Sequence, residues 1–280
     1  MTTKLNILIA YPYCNEPVME LLKKFPKNDL RFVLDSGAFT AWKSGNPIEL
    51  DDYCTFLEKL PIKPWRYFTL DVIGDPDKTA VNFEKMLERG FNPIPIYQPG
   101  EDIKAFDYFY SKSDVVAIGG INGFRGKKRK GYIHGAMKVA NGRKVHLLGF
   151  TNMDYIKLYK PYMCDSSTWE NGARYGYLMM YMGRGQFEKI QKQLFKTKVG
   201  NTKILSRIKH FGIDPYLMAK TESWHGGVSR IRTLSARSGV ALSVDVEKYL
   251  NTKLFLALIT DMAFELLSKS FNYLYRGGQS

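Results

Sequence analysis

Seven short apolar runs occur before about residue 180, and each of the first six is followed by a loop and an amphipathic segment. The runs are Leu5–Ala10 (LNILIA), Arg31–Leu34 (RFVL), Arg66–Leu70 (RYFTL), Pro93–Tyr97 (PIPIY), Val115–Ile118 (VVAI), Lys144–Leu148 (KVHLL) and Tyr162–Cys164 (YMC). Helical patterning falls between them, over 17–25, 50–60, 78–89, 103–110, 133–140 and 155–159. Strands alternating with helices build βα units on a parallel sheet. Closed on itself, such a series is an α/β fold of the (β/α)8 TIM-like barrel type. No eighth strand can be placed, so the barrel is incomplete or irregular, or one strand lies hidden in the C-terminal third. An open doubly wound sheet is the alternative, but its Gly-x-Gly-x-x-Gly turn after the first strand is missing.

The character changes past residue 184, which divides the chain into a barrel core (1–183) and a basic, mainly helical C-terminal region (184–280) packing on it. Within that region Gly185–Phe211, carrying Lys189, Lys192, Lys196, Lys198, Lys203, Arg207 and Lys209, reads as helix, turn, helix. Glu222–Gly239 reads as a Gly/Ser/Arg-rich loop that includes Arg230, Arg232 and Arg237. Val244–Tyr275 reads as one long amphipathic helix or two, with Leu250, Leu254, Leu258, Met262 and Leu266 four apart. That helix would pack on the barrel or on a second copy in a homodimer.

The chain is 45% apolar and 24% charged, ordinary for a globular protein, but its net charge of +14 is not. Such an excess points to a polyanionic partner, nucleic acid first and an anionic membrane surface second. No run approaches the roughly 20 apolar residues of a membrane span, and the first residues lack the pattern of a signal peptide. The cysteines, Cys14, Cys54 and Cys164, are odd in number and widely spaced. That fits a reducing, cytoplasmic compartment rather than a disulfide framework. The histidines, His134, His146, His210 and His225, do not cluster in sequence, and no zinc motif is readable. Neither a metal nor another cofactor is expected.

Chemistry concentrates just after the strands. Asp35 follows the second, Asp71 the third, Gln98 the fourth, Gly119 and Gly120 the fifth, Gly149 the sixth and Asp165 the seventh. Carboxyl ends of barrel strands converge on one mouth, where this fold keeps its active sites. Asp165 taken alone also suits a helix cap; the recurrence of the pattern is what marks a site. Paired carboxylates serve glycosyl transfer, one at the anomeric carbon and one on the leaving-group proton. The other groups suit a purine: Asp accepts from an amino and ring N–H edge, Gln both donates and accepts, and glycine amides donate to a carbonyl. Phe39 is either a stacking surface for a flat base or an ordinary core aromatic.

DSGAF (35–39), LDVIGDP (70–76), YQPGE (97–101), AIGGI (117–121), LLGF (147–150) and DSSTWENGARYG (165–176) occur in that order. The series resembles the motifs of the tRNA-guanine transglycosylases, which adopt an irregular (β/α)8 barrel and exchange guanine for a 7-deazaguanine. The resemblance spans roughly 30–176. It implies that Asp165 is the nucleophile and Asp35 the general acid/base. It further implies that Asp71, Gln98, Gly119 and Gly120 read the purine edge, that Phe39 stacks on its face, and that Arg174 holds a neighbouring phosphate.

Ala38 and Thr40 depart from the family pattern, and the Cys-rich zinc motif of its tRNA-directed members is absent. These departures turn the expectation from tRNA to DNA. The chain is more similar to the small bacteriophage-encoded relatives that insert 7-deazaguanines, such as 7-cyano-7-deazaguanine, into DNA. That implies a host-cytoplasmic setting and leaves room for a phage or host partner. The target base must leave the stack to reach a barrel mouth, at a cost of a few kcal/mol, which phosphate contacts can offset. Arg125, Lys127, Lys128, Arg129 and Lys130, in the loop after the fifth strand, are the foremost candidates for those contacts; a solvated charge run is the plain alternative. The same exchange on tRNA, a non-catalytic nucleic-acid-binding barrel and a glycoside hydrolase are the competing functions.

Overall fold

The computed structural model describes residues 3–121, 124–170, 175–191, 201–225 and 229–277. Its strands are β1 (Leu5–Ala10), β2 (Leu30–Asp35), β3 (Arg66–Tyr67), β4 (Ile96–Tyr97), β5 (Val116–Ile118), β6 (Val145–Leu147), β7 (Met163–Ser166), β8 (Tyr177–Gly183), β9 (Gln186–Gln191) and β10 (Lys253–Leu258). Eight of them form one curled sheet in the order β3-β2-β1-β10-β7-β6-β5-β4, and every pair in it is parallel. The two edges meet at a parallel bridge, Phe68 to Ile94. There Ile94 N donates to Tyr67 O at 2.8 Å and Thr69 N to Ile94 O at 3.0 Å. The fold is therefore an irregular (β/α)8 barrel. Its thinnest wall has a chemical cause. Pro93 and Pro95 have no N–H to donate, and the β4–β5 ladder is confined to Ile96–Ala117 and Tyr97–Ile118.

Strand period decides what faces the interior. Leu8, Val33, Phe68, Ile96, Ala117, Met163 and Phe255 belong to one buried cluster inside the barrel. Their neighbours Ile7, Ile9, Phe32, Leu34, Cys164, Leu254 and Leu256 belong to the cluster under the outer helices. Counting on by two from Val33, Met163 and Ile96 gives Asp35, Asp165 and Gln98. The inward row thus turns from apolar to polar at the carboxyl ends of the strands.

The C-terminal third differs from the sequence expectation at three places. Residues 244–275 are not continuous helix. A helix Arg230–Leu250 ends at Asn251, whose φ of 55° is left-handed, and β10 and a second helix, Asp261–Tyr275, follow. β10 inserts between β1 and β7, so the eighth strand does lie in the C-terminal third, within a segment read as helix. The leucines at spacing four misled because four is also a multiple of the strand period.

Residues 222–239 are not loop throughout, since the Arg230–Leu250 helix begins within them. A Cβ on Gly239 would stand 3.2 Å from Trp169 Cβ and 3.3 Å from Leu256 Cδ2, so glycine there lets the helix approach the barrel wall. Lys192, Lys196 and Lys198 lie outside the described residues, and the described part of 185–211 is not helix, turn, helix. β8 and β9 form an antiparallel hairpin across Gly183, Arg184 and Gly185, all with positive φ, and a helix spans Thr202–His210. Leu178, Met180, Ile190, Ile204, Ile208 and Leu234 join hairpin and helices in a second small core. Among the described residues no helix is long and apolar enough to cross a membrane.

Phe255 tests the place of β10. Its side chain is fully buried inside the barrel, so Phe255→Ala should lower unfolding stability in urea by about 3–5 kcal/mol. A loss below about 0.5 kcal/mol would mean that β10 is not part of the core.

Candidate active site at the barrel mouth

Asp35 ends β2, and Gly37 N donates to its Oδ2 at 3.1 Å. Gly37 is needed there: its φ is +78°, and a Cβ would stand 2.3 Å from Pro12 Cδ. Burial, followed by the nearby Asp71 and Asp165 carboxylates, pushes the Asp35 carboxyl from the usual 3.8 up to about 7. Burial likewise pushes Asp71 up to about 6, partly countered by Ser36, whose Oγ donates to Asp71 Oδ1 at 2.8 Å. Asp165 is buried and held through one oxygen. His146 Nε2 lies 2.8 Å from its Oδ1, and Gly149 N donates to the same atom at 2.9 Å.

The three aspartates expected from the sequence therefore converge. Carboxyls held by different partners in one pocket can take different parts in a proton-transfer reaction. Asp35, poised near neutrality, can both give and take a proton at physiological pH.

The remaining predicted residues fall out differently. Gln98 is buried, with Nε2 donating to Thr79 Oγ1 at 2.8 Å and Val72 O at 3.1 Å. Its Oε1 accepts from Gly74 N at 3.2 Å. Both amide protons are engaged, so Gln98 braces the loop after Asp71 rather than offering donors to a base. Gly119 N donates to Tyr97 O at 2.9 Å, so it too is unavailable; the residue is glycine because a Cβ would meet Ile96 Cγ2 at 2.5 Å. Gly120 turns the chain at φ +67°. Phe39 is half-buried on the helix Ala38–Ser44, stacked on Trp42 at 6.0 Å between centroids with Lys43 Nζ 4.6 Å from its ring centre. Arg174 lies outside the described residues.

The basic stretch is not a loop. Arg125 is the N-cap of the helix Gly126–Ala140, so the following cations occupy its first turns. Arg125, Lys127, Lys128 and Lys130 are exposed. Arg129 is engaged by Ile121 O and Phe124 O at 3.2 and 2.9 Å. Cations here stand at the positive end of the helix dipole with no acidic residue in the first turn, a placement that an anion would relieve. Of the arginines in the supposed second basic loop, Arg237 is buried and donates to Phe211 O, Arg232 pairs with Glu170, and Arg230 is exposed with its guanidinium 3.3 Å from Ser223 Oγ.

One cavity reaches Asp71, and a second lies between the outer face of the barrel wall and the Arg230–Leu250 helix. The first, of about 280 Å³, is lined by Ala38, Trp42, Ile48, Asp71 and Ile73. The second, of about 300 Å³, is lined by Ser166, Thr168, Trp169, Leu242 and Leu256. Among the described residues no three His, Cys, Asp or Glu side chains are arranged to hold a metal ion. Sequence reasoning missed His146, Ser36 and Thr79. The signal for His146 was its place in KVHLL, where Val145 and Leu147 face the outer core and the residue between them must point inward. Comparison of the chain with protein-family models, curated proteins and solved structures finds no match.

The raised Asp35 carboxyl sets a pH test. A carboxyl that binds its proton more tightly in the folded state favours folding fully below the unfolded pKa near 4, and that contribution is lost as pH rises to about 7. The difference in stability between Asp35→Asn and wild type should therefore shift in favour of the variant from pH 4 to pH 8, by at most about 4 kcal/mol. A difference flat with pH in urea titrations would contradict the assignment.

Proposed function

We propose that this protein is a transglycosylase that exchanges guanine in DNA for a 7-deazaguanine base through a covalent nucleotide on Asp165. The observation that carries the reading is the meeting of Asp35, Asp71 and Asp165 at one barrel mouth, with Asp35 able to hold a proton near pH 7. The ordered motifs at the strand ends and the net charge of +14 support the choice of base and polymer.

In the proposed reaction an Asp165 carboxylate oxygen attacks the anomeric carbon of a nucleotide turned out of the stack. The glycosidic C–N bond breaks and its electron pair goes to guanine, which takes the Asp35 proton. The incoming 7-deazaguanine gives a ring proton to Asp35 and attacks the same carbon, releasing Asp165 as carboxylate. Two displacements preserve the anomeric configuration. Asp71 faces the base edge as acceptor, with the Gly120 amide as the remaining backbone donor. Gln98 and Gly119 serve by holding the loops that carry them. The exposed cations at 125, 127, 128 and 130 take the phosphates, and a few such contacts make binding fall steeply with salt.

Radiolabelled guanine, offered with double-stranded DNA, single-stranded DNA and tRNA in parallel, tests the reading. Label should enter DNA, and Asp165→Ala should reduce incorporation at least about 1,000-fold, as removal of a covalent nucleophile does. Incorporation only into tRNA would keep the chemistry and replace the polymer. Salt-sensitive binding without incorporation into any of them would replace the enzyme with a binding barrel.

A further inference from the structure

His146 is fully buried in β6, on the inward row. Its Nε2 and the Gly149 amide converge on a single oxygen of Asp165, Oδ1, at 2.8 and 2.9 Å. Among the described residues no donor reaches Oδ2. The Asp165 side chain, at the end of β7, retains 8% of its exposure.

We infer that His146 is a positioning residue: as the neutral Nε2–H tautomer it anchors Oδ1 together with Gly149, leaving Oδ2 as the atom that attacks. The inference rests on the reading of Asp165 as nucleophile. The tautomer follows from the partners. A carboxylate oxygen has no proton to offer, so the hydrogen between the two atoms belongs to Nε2. Nδ1 is buried with no hydrogen-bond partner, and the ring meets Phe68 edge-on at 4.9 Å. A proton on Nδ1 would be a second buried donor with nothing to accept it, in an apolar wall, which is costly.

The division of labour between the oxygens suits double displacement. When Oδ2 forms the bond to the anomeric carbon, Oδ1 becomes the carbonyl oxygen of the resulting ester. It can then accept the same two hydrogen bonds without movement. When the incoming base displaces Asp165, charge returns to a carboxylate whose donors are already in place. Donors fixed in advance where charge reappears lower the barrier to its departure.

Nitrogen-15 histidine spectra of the full-length protein at pH 7, with the His146 signals assigned by their loss in His146→Gln, read the tautomer directly. The expected result is one protonated nitrogen, Nε2, and one bare nitrogen, Nδ1. Protonation of both, or of Nδ1 alone, would overturn the inference. Exchange kinetics supply the second readout. His146→Phe keeps a ring but no donor, and should lower kcat roughly 10- to 100-fold with the KM for base little changed. His146→Gln, whose amide reaches a similar point, should recover most of that loss. An unchanged kcat in His146→Phe, or a change confined to KM, would contradict the assignment. Should the wild type exchange no base at all, the functional reading fails, while the spectra still decide whether His146 donates to Asp165.

Discussion

Closing eight parallel strands on themselves forces every second residue of each strand into a dry interior, and this constraint organises the whole chain. Below the mouth the inward positions are Val33, Phe68, Ile96, Ala117, Met163 and Phe255, which fill the space with apolar volume. One step further along the strands the same row carries Asp35, Gln98 and Asp165. The site is therefore the upper layer of the core rather than an addition to it. The same apolar floor that stabilises the barrel removes water from the carboxylates above it.

Burial and hydrogen bonding set these aspartates apart. Two of them, Asp35 and Asp71, are pushed upward by burial first and, for Asp35, by neighbouring carboxylates second. Asp165 instead has two N–H donors on one oxygen. On the proposed reading Asp35 carries the proton and Asp165 is the carboxylate held by fixed donors, the pair that glycosyl transfer requires. The loops around them are locked from within. Gln98, Thr79 and Val72 bond to one another, and Ser36 bonds to Asp71. Precision at the mouth thus comes from polar groups that themselves need not touch a substrate.

Much of this was legible in the sequence, because a buried parallel strand needs a short apolar run and a polar loop at its end. The runs at Leu5–Ala10 and Val115–Ile118 coincide with β1 and β5 to within a residue, and the strand-end aspartates converge as their positions implied. What the sequence concealed has physical reasons. β10 hid within leucines whose spacing serves helix and strand alike. Arg237 looked like surface charge, yet its guanidinium caps the chain at Phe211 and lies 3.8 Å from the Tyr273 ring centre. Gln98 carries the donors that a base would want, but the loop after Asp71 uses them, and no property of a single residue reveals which partner it takes. His146 stood apart from the other histidines in sequence, and its partner is 19 positions away.

The central claim is that Asp165 becomes covalently bonded to a nucleotide. Peptide mass mapping tests it most directly: the protein is incubated with guanine-containing DNA, quenched under denaturing conditions before an incoming base is added, and digested with nuclease and protease. The expected product is a peptide spanning Asp165 that carries the added mass of an abasic deoxyribose fragment, lost when a 7-deazaguanine is supplied before the quench. Unmodified Asp165 alongside demonstrable base exchange, or an adduct on Asp35 or Asp71 instead, would contradict it.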